Sequence, residues 1–355
     1  MQAERYDVLV VGAGPAGSCA ARAAAEAGAR VLLVEKRAQV GLPVQCAEFI
    51  PWQLAGQVSV PERCIAQRIE RMRTFLPDGS DAVKPAAGMV LERALWDRHL
   101  AVLAHRAGAE LRTGWAAADY ADGTVLLRRG AREARVRPAA IVGADGPHSA
   151  VARWIGQAQP ALVQGLEHEV VLGAPRAETE VYFDAEYRGG YGWLFPKGGT
   201  ANVGVAVNPD MGGRPGPALE HLMERLGLSR GSVVGTSGGP IPVGGPVERL
   251  HSGRIVLAGD AAGLAHPITG GGIAPAVLSG QMAGRAAARA AQGEGEEALE
   301  RCAREWADAM GGPMRQATAN RRYLDARWSE DPAVLAALVR ETWIAFPAYG
   351  RRKDG

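Results

Sequence analysis

The stretch "VVGAGPAG", residues 10–17, follows the apolar run "YDVLVV" (6–11) and precedes the Ala-rich segment "SCAARAAAEAGA" (18–29). A continuous apolar run with β-branched residues predicts a buried strand, and the Ala-rich segment predicts a helix ending at Gly28. A second buried strand, "RVLLVEK" (30–36), completes a βαβ unit. In such a unit Gly12 allows the tight turn, Gly14 lets the backbone approach a pyrophosphate, and Gly17 lets the helix lie against the strand. Pro15 and Ala16 fill the turn and open the helix, whose free N–H groups and positive dipole end suit phosphates. Glu35, with Lys36 after it, ends the second strand where an acid binds ribose hydroxyls. The plain alternative is a ligand-free glycine-rich turn in an unrelated βαβ unit.

Two later stretches bear on which dinucleotide is bound. "RIVLAGDAAGLAHPITGGGIAPAVLSG" (254–280) predicts a strand carrying Gly259 and Asp260 at its C-terminal end. In a flavin reading Asp260 faces the ribityl and pyrophosphate region. Gly270, Gly271, Gly272 and Ile273 then open a helix whose N–H groups stabilise negative charge on a reduced flavin. That pattern favours FAD over NAD. "IVGADGPHSAVAR" (141–153) places an Asp145-Gly146 turn between a strand and a helix start. Taken alone it is only a turn.

In this order the three stretches resemble the FAD-binding fingerprint of the p-hydroxybenzoate hydroxylase-like flavoprotein superfamily, over roughly residues 5–290. The G-x-G-x-x-G matches 12–17, the D-G matches Asp145-Gly146, and the G-D matches Gly259-Asp260. The resemblance implies a flavin-contacting role for Arg93, in "LERALWDRHL", and for Pro267. Two more segments are similar to geranylgeranyl reductases: "GLPVQCAE" (41–48), with Cys46, and "YGWLFPKG" (191–198), which matches a Y-x-W-x-F-P motif. The implied activity is saturation of C=C bonds in a polyprenyl lipid or quinone side chain, by hydride from N5 of reduced FAD. The reductant is then NAD(P)H or a donor protein such as ferredoxin, since no second dinucleotide motif is visible.

Tyr191, Trp193 and Phe195 alternate on one strand and so share a face. That face offers an apolar wall for a prenyl substrate, with core packing as the alternative. Cys46, Tyr191 and Trp193 are the candidate catalytic residues, and Cys46 also borders the flavin. A thiol with an unperturbed pKa of about 8.5 is mostly protonated at neutral pH and suits a proton donor. Glu48 is placed to tune it. The alternatives for Cys46 are a small apolar filler or a redox pair with Cys64. His266 reads as a loop histidine, and Lys197 and Arg188 as partners of a phosphate head group or as surface charges.

Rival activities share the FAD motifs. An aromatic or polyketide monooxygenase using NAD(P)H and O₂ carries them all, but the Cys46 segment and Y-G-W-L-F-P argue against it. A flavin halogenase would carry W-x-W-x-I-P, whereas here Tyr191 and Phe195 stand at the first and third named positions. A flavin-binding electron carrier would need no apolar cavity.

The chain has 355 residues, 47% hydrophobic and 22% charged, with a formal net charge of +2. No basic run points to nucleic acid. The cysteines (Cys19, Cys46, Cys64, Cys302) form no C-x-x-C pair and no zinc spacing, so neither a metal nor a disulfide framework is expected. The first apolar run is too short and Gly-rich for a signal or membrane span. A cytoplasmic location follows, compatible with peripheral contact at the membrane inner face.

The predicted class is α/β. A Rossmann-like FAD-binding domain (1–75, 89–160 and 250–295) is interrupted by a mainly antiparallel substrate-binding sheet (76–88 and 161–249). A helical C-terminal region (296–355) follows, with a break expected around 311–313.

Overall fold

The computed structural model describes residues 3–350. Strand Glu4–Val11 lies at the centre of the first sheet, with Val31–Glu35 and Arg132–Gly143 parallel on either side of it. Glu110–Thr113 extends this sheet beyond Val31–Glu35, and Ile255–Leu257 extends it beyond Arg132–Gly143. Helices cover the parallel strands, which explains their unbroken Val/Leu runs: Val8, Leu9, Val10, Leu32 and Leu33 are all fully buried.

Helices Pro15–Glu26 and Ile273–Arg289 cross at close range. A Cβ on Gly280 would collide with the Ala16 carbonyl, and one on Gly284 with the Ala20 carbonyl. These glycines therefore let residues 254–289 return to the layer begun by residues 4–35.

The second sheet is ordered Val233–Pro242, Leu162–Val171, Thr200–Val207, Tyr191–Lys197, Thr179–Tyr182, Ile65–Phe75, Asp81–Leu91, Phe49–Pro51. Its pairings are antiparallel except that of Thr179–Tyr182 with Ile65–Phe75. Helix Pro215–Arg225 packs Leu219 and Leu222 against Leu194, Val203 and Val205 on one face. The boundary expected at 75/76 falls inside a hairpin. Ile65–Phe75 pairs along its length with Asp81–Leu91, so both strands belong to this second sheet.

The break expected at 311–313 does not occur. Glu296–Ala326 is one helix with Pro313 inside it. A proline there removes one backbone hydrogen bond and costs about 3 kcal/mol. Burial of Trp306, Met314, Ala317 and Leu324 along the same helix offsets that loss. The chain turns instead before Pro332–Thr342, where Asp331 accepts hydrogen bonds from the Ala333 and Val334 N–H groups and Pro332 takes the first helical position. Leu335, Val339 and Trp343 then pack on Val181, Phe183 and Ile268. Among the described residues no helix is long and apolar enough to cross a membrane.

Candidate active site

The glycine-rich loop is built on contacts that exclude side chains. Gly12 has φ +99, and a Cβ there would collide with the Ala144 carbonyl. A Cβ on Gly17 would collide with the Gly12 carbonyl, whereas one on Gly14 would meet nothing within 4 Å. The helix behind has no side-chain cap and no acid in its first turn, leaving its N-terminus an open, positive cradle. Glu35 Oε2 accepts the Ala13 N–H at 2.8 Å and Oε1 accepts the Arg37 N–H at 2.9 Å. Each oxygen keeps a lone pair for a hydroxyl donor. Lys36 is exposed.

Asp145 does local work. Its Oδ1 accepts from Ser149 Oγ at 2.5 Å and its Oδ2 from the Ala150 N–H at 2.7 Å, tying down the start of helix Ala150–Trp154. Gly146, with φ +84, faces open space. The turn thus braces the glycine-rich loop through Ala144.

Asp260 behaves differently. Among the described residues no group donates a hydrogen bond to its carboxylate, which lies close to Gly272. Burial pushes its carboxyl up to about 6, with the Arg93 charge opposing. Gly259, at φ +60, packs against Ala16 and its N–H donates to Ser279 Oγ at 3.0 Å. Gly272 opens helix Ile273–Arg289 without a side-chain cap, and Pro267 is buried in the loop before it. Gly270 N–H donates to the His266 carbonyl at 2.8 Å, and His266 N–H to the Gly271 carbonyl at 3.2 Å, fixing the loop. An open glycine cradle, an acid at the second strand end and an undonated carboxylate beside a second helix start are chemically suited to FAD, which Gly14–Gly17, Glu35 and Asp260 would hold.

The Cys46 segment is welded to the second sheet. The Glu48 N–H donates to Cys46 Sγ at 3.3 Å. The Glu48 carboxylate is 3% exposed and its Oε2 lies 2.6 Å from Lys197 Nζ, itself 5% exposed. Lys197 is therefore neither a surface charge nor free for a head group. Arg188 pairs with Glu330 at 2.5 Å. Arg93 binds Asp97 through two bonds of 2.8 and 2.9 Å. Burial pushes the Cys46 thiol up to about 11, against the Arg93 charge and the Glu48 N–H, so it is protonated at neutral pH. Cys46 and Cys64 are both free thiols. Among the described residues no His/Cys/Asp/Glu cluster could hold a metal.

Tyr191, Trp193 and Phe195 face the same way, opposite Ala206, Gly204 and Asn202. Ala47 packs among them, while Cys46 itself packs against the neighbouring cluster that holds Ile50, Leu54 and Ile273. The Tyr191 hydroxyl donates to the Thr269 carbonyl at 2.5 Å, linking the wall to the loop before Gly270. Burial pushes the Tyr191 phenol up.

Sequence reasoning missed three groups here. Glu167 is buried and accepts from Trp193 Nε1 at 2.8 Å. Asn202 Nδ2 donates to Glu48 Oε2 at 2.7 Å. The segment 343–349 brings Trp343 to 5.1 Å from the Tyr191 ring, and Tyr349 Oη to 3.0 Å from His266 Nε2. Strand parity was an available signal for Lys197, which continues the 191, 193, 195 series. No local pattern announces the C-terminal contacts.

The two-sheet α/β fold is that of a FAD-dependent oxidoreductase. A family model described as FAD dependent oxidoreductase matches residues 7–41. A digeranylgeranylglycerophospholipid reductase of Methanosarcina mazei is 38% identical, covering 80% of this chain and 75% of the relative. One from Methanopyrus kandleri is 36% identical, covering 95% and 91%. A geranylgeranyl bacteriochlorophyll reductase-like protein from Thermoplasma acidophilum superimposes with a TM-score of 0.83 at 27% identity, covering 96% of this chain and 97% of that one. The chain belongs to the geranylgeranyl reductase family of FAD-dependent oxidoreductases.

Proposed function

We propose that the protein saturates isolated C=C bonds in the polyprenyl chains of a lipid, and that Cys46 is its proton donor. The observation that carries this reading is that Ala47 packs on the aromatic face of Tyr191, Trp193 and Phe195 while the adjoining Cys46 packs against the cluster holding Ile273, at the helix start beside Asp260. FAD, when bound and reduced, supplies a hydride for one alkene carbon. The neutral Cys46 thiol supplies a proton to the other, and the resulting thiolate takes a proton back from solvent before the next bond. The aromatic wall orients the chain and keeps water away. The curated relatives, named as digeranylgeranylglycerophospholipid reductases, support a prenyl-lipid substrate.

The two electrons come from a nicotinamide as hydride, or singly in two steps from a ferredoxin-type protein, either visiting transiently. A lipid substrate is reached by peripheral contact with a membrane surface.

The test is anaerobic incubation of dithionite-reduced protein with geranylgeranyl lipids and with a prenylated quinone, followed by mass spectrometry. Two mass units gained per reduced bond are expected, with Cys46→Ala about a hundredfold slower or more at equal FAD content, the low end of a general acid's contribution. Oxygen incorporated into product in air would instead identify a monooxygenase. Normal turnover by Cys46→Ala would remove the thiol from the mechanism.

A further inference from the structure

Glu48 is a non-glycine residue at φ +69, almost wholly buried. A residue with a β-carbon pays about 1 kcal/mol or more to occupy that left-handed region, and such strain persists only where surrounding contacts over-determine it. Four different elements supply those contacts. Glu48 Oε1 accepts the Arg93 N–H at 2.9 Å, from the start of helix Arg93–Arg106. Its Oε2 takes the Asn202 amide at 2.7 Å and the Lys197 ammonium at 2.6 Å, both from the second sheet. Its carbonyl accepts the Leu91 N–H at 3.0 Å, from the end of strand Asp81–Leu91 in the same sheet. The one polar group left on Glu48 is its own N–H, and that donates to Cys46 Sγ at 3.3 Å.

We propose that Glu48 is a positioning residue: clamped by Arg93, Asn202 and Lys197, its backbone fixes the Cys46 thiol between the cluster holding Ile273 and the aromatic face on which Ala47 packs. Lys197 ends the strand that carries Tyr191–Phe195, and Asn202 lies opposite Phe195 on the adjoining strand, so one clamp sets both the thiol and the surface that holds the alkene. The inference rests on the reading of Cys46 as proton donor, and it assigns Lys197 to the clamp as well.

A double-mutant cycle tests it. Glu48→Ala lowers kcat on the order of ten- to a hundredfold, the scale for a reacting group displaced by about an ångström. FAD content and KM stay near wild type. Glu48→Gln, which keeps an acceptor for the Arg93 N–H, falls less. In a Cys46→Ala background Glu48→Ala produces no further loss. A loss as large as in the parent background would overturn the proposal, because a merely structural residue acts with or without the thiol. Should Glu48→Ala fold poorly, Glu48→Gly removes the clamp while tolerating the backbone angle, and the same cycle is run with it. Should Cys46→Ala turn over normally, the proton-donor reading fails by itself. Positioning is then decided by the rate at which iodoacetamide alkylates Cys46, followed by peptide mass. A changed rate in Glu48→Ala sustains positioning, and an unchanged rate sinks it.

Discussion

The Trp193 indole N–H donates to Glu167 Oε2 at 2.8 Å, with both residues flanking Gly204 in register. Trp193 is therefore more than an apolar wall, since its polar edge satisfies a buried acid. Burial pushes the Glu167 carboxyl up to about 8, while the indole bond opposes and the nearby Glu48 charge reinforces the rise. A carboxyl raised above its unfolded value holds a proton that the unfolded chain releases. Stability from this group is full below about pH 4 and is lost as pH rises toward 8. Chemical unfolding between pH 5 and 8 should show this slope in the wild type and a shallower one in Glu167→Gln. Trp193→Phe, which strands the acid, should cost about 1–3 kcal/mol. An unchanged slope in Glu167→Gln would mean that the acid titrates normally.

Asp260 gives a second pH signature, in the cofactor. Its carboxyl, pushed up to about 6 by burial, has no donor among the described residues. Ribityl hydroxyls donating to it would favour the ionised form and pull its pKa down. FAD binding then releases a proton where the free protein holds one, so affinity weakens as pH falls through 6. Fluorescence titration of the apoprotein with FAD at pH 5 to 8 measures this. Asp260→Asn should bind FAD more weakly at pH 8 and lose the dependence. A flat wild-type profile would take Asp260 away from the flavin.

How much of this was legible in sequence follows from how local each signal is. The glycine-rich loop, Glu35 and Asp260 belong to strand–turn–helix units in which each residue's task is set by neighbours a few positions away. The pairing of Cys46 with the aromatic strand came from two motifs read side by side, and Ala47 now lies among those aromatics. Lys197 reads as surface from sequence because charge usually means surface, and its burial is offset by two carboxylates far away in sequence, Glu48 and Glu92. The unbroken helix through Pro313 and the docking of Trp343 on Tyr191 depend on tertiary packing that no local propensity encodes.

The C-terminal segment should report through His266. Its Nδ1 accepts the Thr269 N–H at 3.2 Å, which leaves the proton of the neutral ring on Nε2, 3.0 Å from Tyr349 Oη. Burial holds the ring down to about 4, so charging it breaks the Thr269 bond. A histidine depressed below its unfolded value contributes stability at neutral pH that is lost as pH falls from about 6.5 toward 4. His266→Gln should flatten that acid limb in urea unfolding. Tyr349→Phe, removing one hydroxyl, should cost about 0.5–1.5 kcal/mol. Equal acid limbs in wild type and His266→Gln would show that the ring titrates as if exposed.

Gly14 and Gly17 separate the cradle from the scaffold. A Cβ at Gly14 meets nothing within 4 Å, and its backbone, at φ −74, is one that alanine adopts freely. Gly14→Ala should therefore fold with an unfolding free energy within about 0.5 kcal/mol of wild type. Its methyl would stand where the pyrophosphate approaches, so FAD affinity should fall at least tenfold, about 1.4 kcal/mol. Gly17→Ala differs because its Cβ collides with the Gly12 carbonyl, forcing the helix off the strand. That variant should lose several kcal/mol of stability as well as FAD, as overpacked or strained sites do. Calorimetric unfolding paired with FAD titration distinguishes the two. If Gly14→Ala binds FAD like wild type, the phosphates do not lie against this turn.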